Sequence, residues 1–303
     1  MTSKVCVLLA AYNGAEFIAE QLDSILNQKD VSIEIHISLD LSDDDTLNII
    51  SEYGNKYNNI FIMNYGKRFG SAGKNFFHLI RNVDFLGFDF ISFADQDDIW
   101  FSNKLSTSIK LIKNSGADAY SGNVIAFWPD GRRKLIRKDD SQVEFDYLFE
   151  SSGPGCTFVL SNKLASRIKS LLNEKSEEID MLWLHDWFCY SFARANGFEW
   201  YIGSEPLMLY RQHDNNQVGA REGFGALMSR AKVILSGDGF DKVVQQSKFL
   251  GQNDIPIQLI SSGSAFSLFK LAMMGKSCRR KKREKALFTI ALLLMAMKRV
   301  CKT

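Results

Sequence analysis

The sequence predicts an α/β fold, with a mostly parallel sheet between helices and a C-terminal helical extension. Short apolar runs alternate with segments of helical period four times in about a hundred residues. A polar cluster follows three of these four strands directly. After about residue 220 the composition changes to helical segments alone. We therefore expect an α/β domain over residues 1–220 and a helical region over residues 221–303.

The first two strand–helix units follow from apolar periodicity. Val5–Ala11 is an apolar run of strand length, and the helix predicted over Glu16–Asn27 has its apolar residues on one face. Ser32–Leu39 is predicted as the second strand, and Thr46–Tyr53 as the second helix. Three aspartates, Asp43–Asp45, precede that helix and complement its positive N-terminus.

The next two units repeat this order. Ile60–Asn64 is predicted as a short strand, and a glycine-bearing loop then leads to a helix over Lys74–Val83. The fourth strand, Phe88–Phe93, is an apolar run followed by a helix that starts near Asn103. Strands separated by helices in this way form parallel sheets.

Polar residues gather where these strands end. Tyr12 and Asn13 follow the first strand, Asp40 follows the second, and the segment 95–98 follows the fourth. Parallel α/β sheets bind ligands beyond the carboxyl ends of their strands. The shared position of these clusters predicts a binding site at one sheet edge.

The segment Asp95-Gln96-Asp97-Asp98 is the centre of this predicted site. Its three carboxylates repel one another directly after a buried strand, and a divalent cation would relieve that repulsion. Mg²⁺ and Mn²⁺ take carboxylate oxygens, with water and substrate phosphate as further ligands. The alternative is a solvated acidic turn that caps the following helix.

The second half of the sequence is less regular. Ala119–Phe127 and Arg133–Ile136 are predicted to form a hairpin, and Gly153–Cys156 a tight loop before a strand over Thr157–Leu160. This loop either approaches a ligand closely or is a plain turn into the strand.

An aromatic helix is predicted from His185 to about Asn196, in which Asp186 is either a helix cap or a catalytic base. Two short strands, Glu199–Ile202 and Leu207–Tyr210, lead into a polar loop over residues 211–216.

The totals bound the class of protein. With 37 basic and 35 acidic residues, the chain is nearly neutral, and we predict no nucleic-acid partner. The five cysteines have no CxxC spacing and an odd number, which favours a reducing compartment over a disulfide framework. No secretory signal opens the sequence, so we expect a cytoplasmic location.

The C-terminal region combines basic and apolar segments. Helices are predicted over Gly225–Leu235, Asp241–Gly251 and Ser264–Met274. The basic stretch Ser277–Lys285 then precedes an apolar one, Ala286–Met297. The apolar stretch is too short to cross a bilayer, which requires a helix of about twenty apolar residues. We expect peripheral contact with an anionic membrane, on the cytoplasmic face of the inner membrane. The alternative is a buried terminal helix with a solvated basic flank.

These motifs, in this order and spacing, resemble those of the family-two inverting glycosyltransferases with a GT-A fold. More narrowly, they resemble bacterial rhamnosyltransferase-type enzymes of O-antigen and capsule assembly. The resemblance covers roughly residues 4–220, and its matching stretches are Val7–Gln28, Asp95–Leu105, His185–Trp187 and Glu205–Gly219.

The resemblance implies transfer of a sugar from a nucleoside-diphosphate donor to an acceptor hydroxyl, assisted by Mn²⁺ or Mg²⁺. It assigns Asp186 as the general base and Asp97 as a metal ligand, and His213 as either a second metal ligand or a contact of the diphosphate. The nucleotide-sugar donor would be bound by Ala11, Tyr12, Asn13, Asp40, Lys74, Asp95 and Gln96. The acceptor, a glycan or polyprenyl-linked oligosaccharide, would lie against Gly155, Cys156 and Trp187.

One stretch departs from the family pattern. The family has Asp-Asp-Gly-Ser after the second strand, whereas this sequence has Leu39-Asp40-Leu41-Ser42. Asp40 retains the second aspartate, and the base-contacting role is assigned to it. The two leucines replace the first aspartate and the glycine, so the resemblance does not carry over the shape of this loop or the nucleotide preference.

Two other functions fit part of the sequence. A Mg²⁺-dependent phosphatase also has Asp-x-Asp after a strand, but normally after the first strand and with Thr or Val where Asp98 stands. A non-catalytic nucleotide-sugar-binding module would agree with Leu39 and Leu41, whereas the presence of Asp95, Asp97 and Asp186 together favours an enzyme.

Overall fold

The computed structural model describes residues 2–213 and 238–301. The chain forms two compact units, of which the first comprises Met1–Asp139, Ser152–Ile179 and Leu184–Gly219. The second comprises Asp140–Ser151, Asp180–Trp183 and Ala220–Thr303. The helix predicted over Gly225–Leu235 and the domain boundary predicted at residue 220 lie outside the described residues, so both stay predictions.

The first unit is a mixed α/β structure. Its strands are β1 (Ser3–Ala11), β2 (Val31–Leu39), β3 (Ile60–Ile62), β4 (Phe90–Asp95), β5 (Ile99–Trp100), β6 (Ala119–Gly122), β7 (Val124–Phe127), β8 (Arg133–Ile136), β9 (Val159–Ser161), β10 (Trp200–Gly203) and β11 (Met208–Arg211). Its helices are α1 (Ile18–Leu26), α2 (Thr46–Lys56), α3 (Ala72–Asn82), α4 (Lys104–Ser115), α5 (Asn162–Glu174) and α6 (His185–Ala195). The predicted alternation of strands and helices is confirmed.

A seven-stranded sheet has the order β10-β6-β9-β4-β1-β2-β3. The strands β4, β1, β2 and β3 are parallel neighbours, and β9 runs antiparallel between β4 and β6. The mostly parallel sheet is therefore as predicted. Because Ala10 lies opposite Asp95 and Ala11 opposite Leu39, the carboxyl ends of the three central strands meet at one edge.

The central strand β1 is buried on both faces. Every side chain from Val5 to Leu9 is fully inaccessible, as expected for an apolar run in a sheet covered by helices on each side. Ile18, Leu22 and Ile25 belong to the same hydrophobic cluster as β1 and form the buried face of α1. This packing positions the carboxyl end of β1 and the loop that follows it.

The stretch predicted as one strand, Ala119–Phe127, is two strands in different sheets. The break falls at Asn123, which is buried. Its Nδ2 donates to the Ser204 carbonyl at 2.8 Å, and its Oδ1 accepts from the Lys138 amide at 2.6 Å. The side-chain amide of Asn123 therefore makes hydrogen bonds in place of those between strands at this point. After Asn123 the chain enters a second sheet, with the order β5-β11-β7-β8. The predicted hairpin of β7 with β8 is present.

The described part of the second unit is helical. It contains α7 (Asp238–Leu250), α8 (Ile255–Ser262), α9 (Ala265–Met273), α10 (Gly275–Cys278) and α11 (Lys282–Val300). Three of these correspond to the helices predicted over Asp241–Gly251, Ser264–Met274 and Ala286–Met297. Among the described residues, no helix is both long enough and apolar enough to cross a membrane.

Candidate functional site

The loop after β1 is fastened to the acidic segment after β4. The Tyr12 amide donates to Gln96 Oε1 at 2.7 Å, and Gln96 Nε2 donates back to the Tyr12 carbonyl at 2.8 Å. A Cβ added to Gly14 would lie 2.3 Å from the same Gln96 oxygen, so a side chain there would displace the amide. Gln96 thus joins two strand ends that sequence reasoning only placed at the same edge.

The loops after β1 and β2 are also joined. Asn13 has a left-handed φ of 43°, which asparagine tolerates better than most residues. Its amide donates to Ser42 Oγ at 3.0 Å, and its side chain exchanges hydrogen bonds with Asp43. The departure from the family pattern at Leu39 and Leu41 therefore leaves a well-connected loop.

Asp40 is buried, and its carboxylate is held by backbone amides. Oδ1 accepts from the amides of Leu41 and Phe69, and Oδ2 accepts from Gly70, each at 2.8 Å. These bonds attach the glycine-bearing loop before α3 to the end of β2. Asp40 shapes the loop in this structure, and its predicted contact with a nucleotide base stays a prediction.

Four carboxylates form what we call the carboxylate cluster: Asp95, Asp97, Asp98 and Asp186. Burial raises the pKa of Asp95 to about 7, and the negative charges of Asp97 and Asp186 act in the same direction. Burial and the negative charges of Asp97 and Asp95 raise the pKa of Asp98 well above its ordinary value. Asp98 is fully buried, and its Oδ2 has no hydrogen-bond partner in the described structure. Ionisation of Asp95 and Asp98 is therefore disfavoured unless a positive charge is bound beside them.

The strand β11 brings a second group of side chains to this cluster. His213 Nε2 lies 2.7 Å from Asp97 Oδ2, so the two predicted metal ligands contact each other. Arg211 Nε donates to the Asp97 carbonyl at 2.7 Å, and its backbone amide donates to Asp98 Oδ1 at 3.1 Å. The guanidinium lies 4.5 Å from the ring centroids of Phe17 and Phe127 and also pairs with Glu20.

Cys156 lies beside the carboxylates, on the short turn after Pro154. One ligand atom each from Asp95, Asp98 and Cys156 lies within 4.8 Å of the other two, a grouping that could hold a metal ion. Burial, together with the charges of Asp98 and Asp95, raises the pKa of the Cys156 thiol well above its ordinary value. The carboxylates are therefore the better ligands for a hard cation, because a thiol must lose its proton to ligate.

Asp186 lies in the first turn of α6, where its Oδ1 accepts from the Trp187 amide at 2.7 Å. A Cβ added to Gly155 would lie 2.4 Å from His185 Nε2 and 3.3 Å from Asp186 Cβ. The glycine loop therefore abuts the start of α6. The N-cap position is occupied by Leu184, so Asp186 is not the N-cap residue, and its role as a catalytic base stays a prediction.

The remaining predicted residues lie around this centre. Ala11 is buried at the end of β1, and its carbonyl accepts from the Asp40 amide at 2.8 Å. Lys74 lies in the first turn of α3, after the N-cap Ser71. Trp187 is only 7% exposed and presents little surface to a sugar ring. The donor role of Lys74 and the acceptor role of Trp187 stay predictions.

Sequence reasoning missed three residues that surround the cluster. Arg211 could have been found as the first charge after a predicted strand in the Arg211-Gln212-His213 stretch. Lys104 is buried, with its ammonium 3.4 Å from the centroid of the Trp100 ring, and burial lowers its pKa to about 7. His185 packs against Phe76 at 3.9 Å between ring centroids. No periodicity marks the last two.

Comparisons with known proteins identify the family and several relatives of the chain. Residues 6–181 match the family described as glycosyl transferase family 2. The dTDP-rhamnosyl transferase RfbG of Shigella flexneri is 43% identical over 94% of this chain and 99% of its own length. The Escherichia coli protein WfgD, described as a UDP-Glc:alpha-D-GlcNAc-diphosphoundecaprenol beta-1,3-glucosyltransferase, is 24% identical over 52% of this chain and 60% of its own length.

Solved structures share the fold. TarS of S. aureus, residues 1–349 in complex with UDP-GlcNAc, matches 99% of this chain and 92% of its own with a TM-score of 0.53. Sequence identity is 16%, so this likeness concerns the fold alone. It confirms the predicted GT-A fold class.

Proposed function

Because the chain belongs to glycosyltransferase family 2, we propose that it transfers rhamnose from a dTDP-linked donor to an acceptor hydroxyl, with inversion at the anomeric carbon. The observation that carries this proposal is the meeting of Asp186 with the strand-end carboxylates. A candidate base thereby lies next to a candidate cation site. Sugar transfer requires this because the base acts on the attacking hydroxyl while the cation acts on the leaving diphosphate. The 43% identity to a dTDP-rhamnosyl transferase supports the choice of donor.

The residues present fit a divalent cation, Mn²⁺ or Mg²⁺. The donor set is rich in carboxylate oxygens, which hard cations prefer. Asp95 and Asp98 lie beside each other and burial raises their pKa values, so their charged forms are disfavoured until a cation compensates them. Asp97 would hold the ion, with support from Asp95 and His213. When bound, it would stabilise the charge that develops on the leaving diphosphate.

Asp186 accepts the proton of the attacking hydroxyl in this proposal. Its Oδ1 is held by the Trp187 amide, which fixes the carboxylate at the start of α6. The charge of Asp186 contributes to the raised pKa of Asp95, so the two carboxyl groups interact electrostatically. A positioned carboxylate of this kind contributes about 10²–10⁴-fold in rate.

The nucleotide would lie on the joined loops after β1 and β2. Tyr12 is about half exposed, so its ring can contact a base. Asp40 and Lys74 flank the same edge through the loop that connects β3 to α3. Gln96 and Ala11 would contribute mainly through the backbone geometry that they fix.

We infer an acceptor that is a glycan or a polyprenyl-linked oligosaccharide. Support comes from WfgD, whose description includes a diphosphoundecaprenol-linked substrate. Gly155 and Cys156 lie on the Asp186 side of the cluster and would border this acceptor. Such an acceptor would place the enzyme on the cytoplasmic face of the inner membrane, in peripheral contact with anionic lipid.

A donor panel tests the proposal. Full-length protein is incubated with Mn²⁺ and, separately, dTDP-rhamnose, UDP-hexoses, UDP-N-acetylhexosamines and GDP-sugars, and free nucleoside diphosphate is measured with binding of each nucleotide alongside. We expect metal-dependent release from dTDP-rhamnose that Asp97→Ala abolishes. Release from another donor alone would overturn the choice of rhamnose, and absence of metal-dependent binding of every nucleotide would overturn the site.

A further inference from the structure

We propose that helices α9 and α11 form a docking surface for an anionic lipid bilayer. The surface consists of the exposed apolar side chains Phe266, Phe269, Met273, Ile290, Leu294 and Met297, with adjacent lysines and arginines. This proposal rests on the proposed function and names the element that contacts the membrane. Lipid binding can be measured without donor or acceptor, so the two proposals can fail separately.

Each helix has two apolar faces. On α11, Phe288, Leu292 and Ala296 are buried, whereas Ile290, Leu294 and Met297 are 54%, 49% and 64% exposed. The exposed residues are spaced i, i+4 and i+7, so they share one side of the helix. This double pattern explains why the stretch Ala286–Met297 is nearly all apolar. A helix with a single apolar face would carry polar residues on its other side.

Helix α9 repeats the arrangement. Leu268 and Leu271 are buried, whereas Phe266 and Met273 are 66% and 68% exposed and Phe269 is about half exposed. The spacing of the exposed residues, i, i+3 and i+7, again places them on one side. Large apolar side chains exposed in such numbers on adjacent helices indicate an interaction surface.

Helices α9 and α11 run side by side. Thr289 Oγ1 donates to the Ala272 carbonyl at 3.1 Å, and the Arg299 guanidinium donates to the Gly263 carbonyl. These bonds make α9 and α11 antiparallel neighbours. Phe266 is thereby level with the Met297 end of α11, and Met273 with the Ile290 end.

The charge around the stripes matches an anionic partner. From residue 255 to residue 303 the sequence has eleven lysines and arginines and one acidic residue, Glu284. Lys270 lies on α9 with its ammonium 4.5 Å from the Phe266 ring centroid. Arg283 lies two turns before Ile290 on the same side of α11, and Lys298 adjoins Met297. Basic residues that flank an apolar helix face are typical of helices that lie on acidic lipid.

The structure also shows which residues of the basic stretch Ser277–Lys285 are available for contact with lipid. Arg280 is buried, and its Nε lies 3.6 Å from Asp146 Oδ2. Arg279 pairs with Glu150 and Glu284. These two arginines stabilise the second unit, so the lipid contact falls to the apolar stripes and the outward basic residues. A second copy of the chain is a poorer occupant, because two surfaces of the same positive charge repel each other.

Flotation with vesicles tests the proposal. We expect the full chain to bind phosphatidylcholine vesicles that contain phosphatidylglycerol, and to bind pure phosphatidylcholine more weakly. The double substitution Phe269→Ser with Leu294→Ser should reduce binding at least about tenfold, because two apolar side chains lose their burial in lipid. Lys270→Gln with Lys298→Gln should reduce binding to the acidic vesicles alone and weaken its dependence on salt.

Controls separate docking from folding and from catalysis. Leu86→Ser, at an exposed apolar residue of the first unit, should leave vesicle binding unchanged. Thermal unfolding and release of nucleoside diphosphate without vesicles should be the same in the Phe269–Leu294 variant as in the wild type. Equal flotation of wild type and variant, or no binding to acidic vesicles, would overturn the proposal. So would a dimer in sedimentation that the same variant abolishes, since a second copy would then cover the face.

Discussion

The two units of the chain bury charge in opposite ways. The first unit gathers charges of the same sign in the carboxylate cluster, where burial and mutual repulsion raise the pKa of Asp95 to about 7. The second unit gathers opposite charges, which we call the arginine cluster: Asp146, Glu150, Arg279, Arg280 and Glu284.

The arginine cluster is internally compensated. The Arg280 amide donates to Glu150 Oε1 at 2.8 Å, and Arg280 Nη2 lies 3.4 Å from Glu150 Oε2. Asp146, which is fully inaccessible, lies 3.6 Å from Arg280 Nε. Buried ions of opposite sign offset each other's loss of hydration only when their geometry is good. Here several contacts serve each ion, so this cluster does not require a ligand.

Three basic side chains lie beside the carboxylate cluster, but they compensate it less fully: His213 pairs with Asp97, and the Lys104 ammonium lies over the Trp100 ring. Arg211 contributes hydrogen bonds to Asp97 and Asp98, but its guanidinium also pairs with Glu20. A buried group of like charges costs stability unless a ligand binds it. The comparison indicates how a structural cluster of buried charges differs from a binding site. In the structural cluster each charge has neighbours of opposite sign, whereas in the binding site most neighbours have the same sign.

The largest expected effect is on catalysis, from Asp186→Asn. The amide cannot accept the acceptor proton, so we expect kcat to fall about 10²–10⁴-fold. Binding of the nucleotide should persist, because the substitution lies on the acceptor side. Steady-state transfer and nucleotide titration measure the two effects, with Glu52→Gln on α2 as the exposed control. A fall in nucleotide affinity equal to the fall in kcat would mean that Asp186 binds the donor instead.

Arg280→Met addresses the other cluster. Removal of one member of a buried ion pair leaves Asp146 without its compensating charge, which typically costs about 3–5 kcal/mol in the free energy of unfolding. Urea unfolding measures this loss. The double substitution Arg280→Met with Asp146→Leu should recover part of it, since both charges are then absent. A single variant as stable as the wild type would show that the arginine cluster is not compensated through this pair.

The pH dependence of metal binding sharpens the contrast. Because the pKa of Asp95 is raised above its unfolded value of 3.8, the protonated carboxyl stabilises the folded state, and this contribution is lost as the pH rises toward about 7. A cation requires the carboxylate, so Mn²⁺ affinity should increase up to about tenfold per pH unit below 7. Calorimetric titration at several pH values measures it. Asp95→Asn should remove most of the dependence, and an unchanged slope in that variant would assign it to another group.

The smallest expected effect comes from Gln96→Ala. Two hydrogen bonds to the Tyr12 backbone are lost, each with a net value of about 0.5–1.5 kcal/mol, so nucleotide affinity should fall about tenfold. Gln96→Glu keeps the acceptor for the Tyr12 amide but loses the donor to the Tyr12 carbonyl. Its nucleotide affinity should lie between those of the wild type and the alanine variant. An alanine variant with wild-type nucleotide affinity would show that the loop keeps its shape without this side chain.

Much of the site was predictable because it depends on local sequence. The apolar run before Asp95 and the turn at Asn13-Gly14 fix where β4 and β1 end, and parallel strands bring such ends together. The strand predicted across Asn123 was wrong in its continuity. Its apolar residues gave no signal that one buried amide would form hydrogen bonds with Ser204 and Lys138 and divert the chain into another sheet.

The sequence by itself determined the order of strands and helices, the edge at which the polar clusters lie, and the family. Only the tertiary structure decided that His213 meets Asp97 across 116 residues of chain, that the Cys156 thiol lies beside Asp95 and Asp98, and that Arg279 and Arg280 pair with carboxylates of their own unit. The physical reason is one of range. Periodicity and turn residues act over a few positions, whereas the partner of a buried charge is set by the packing of distant elements.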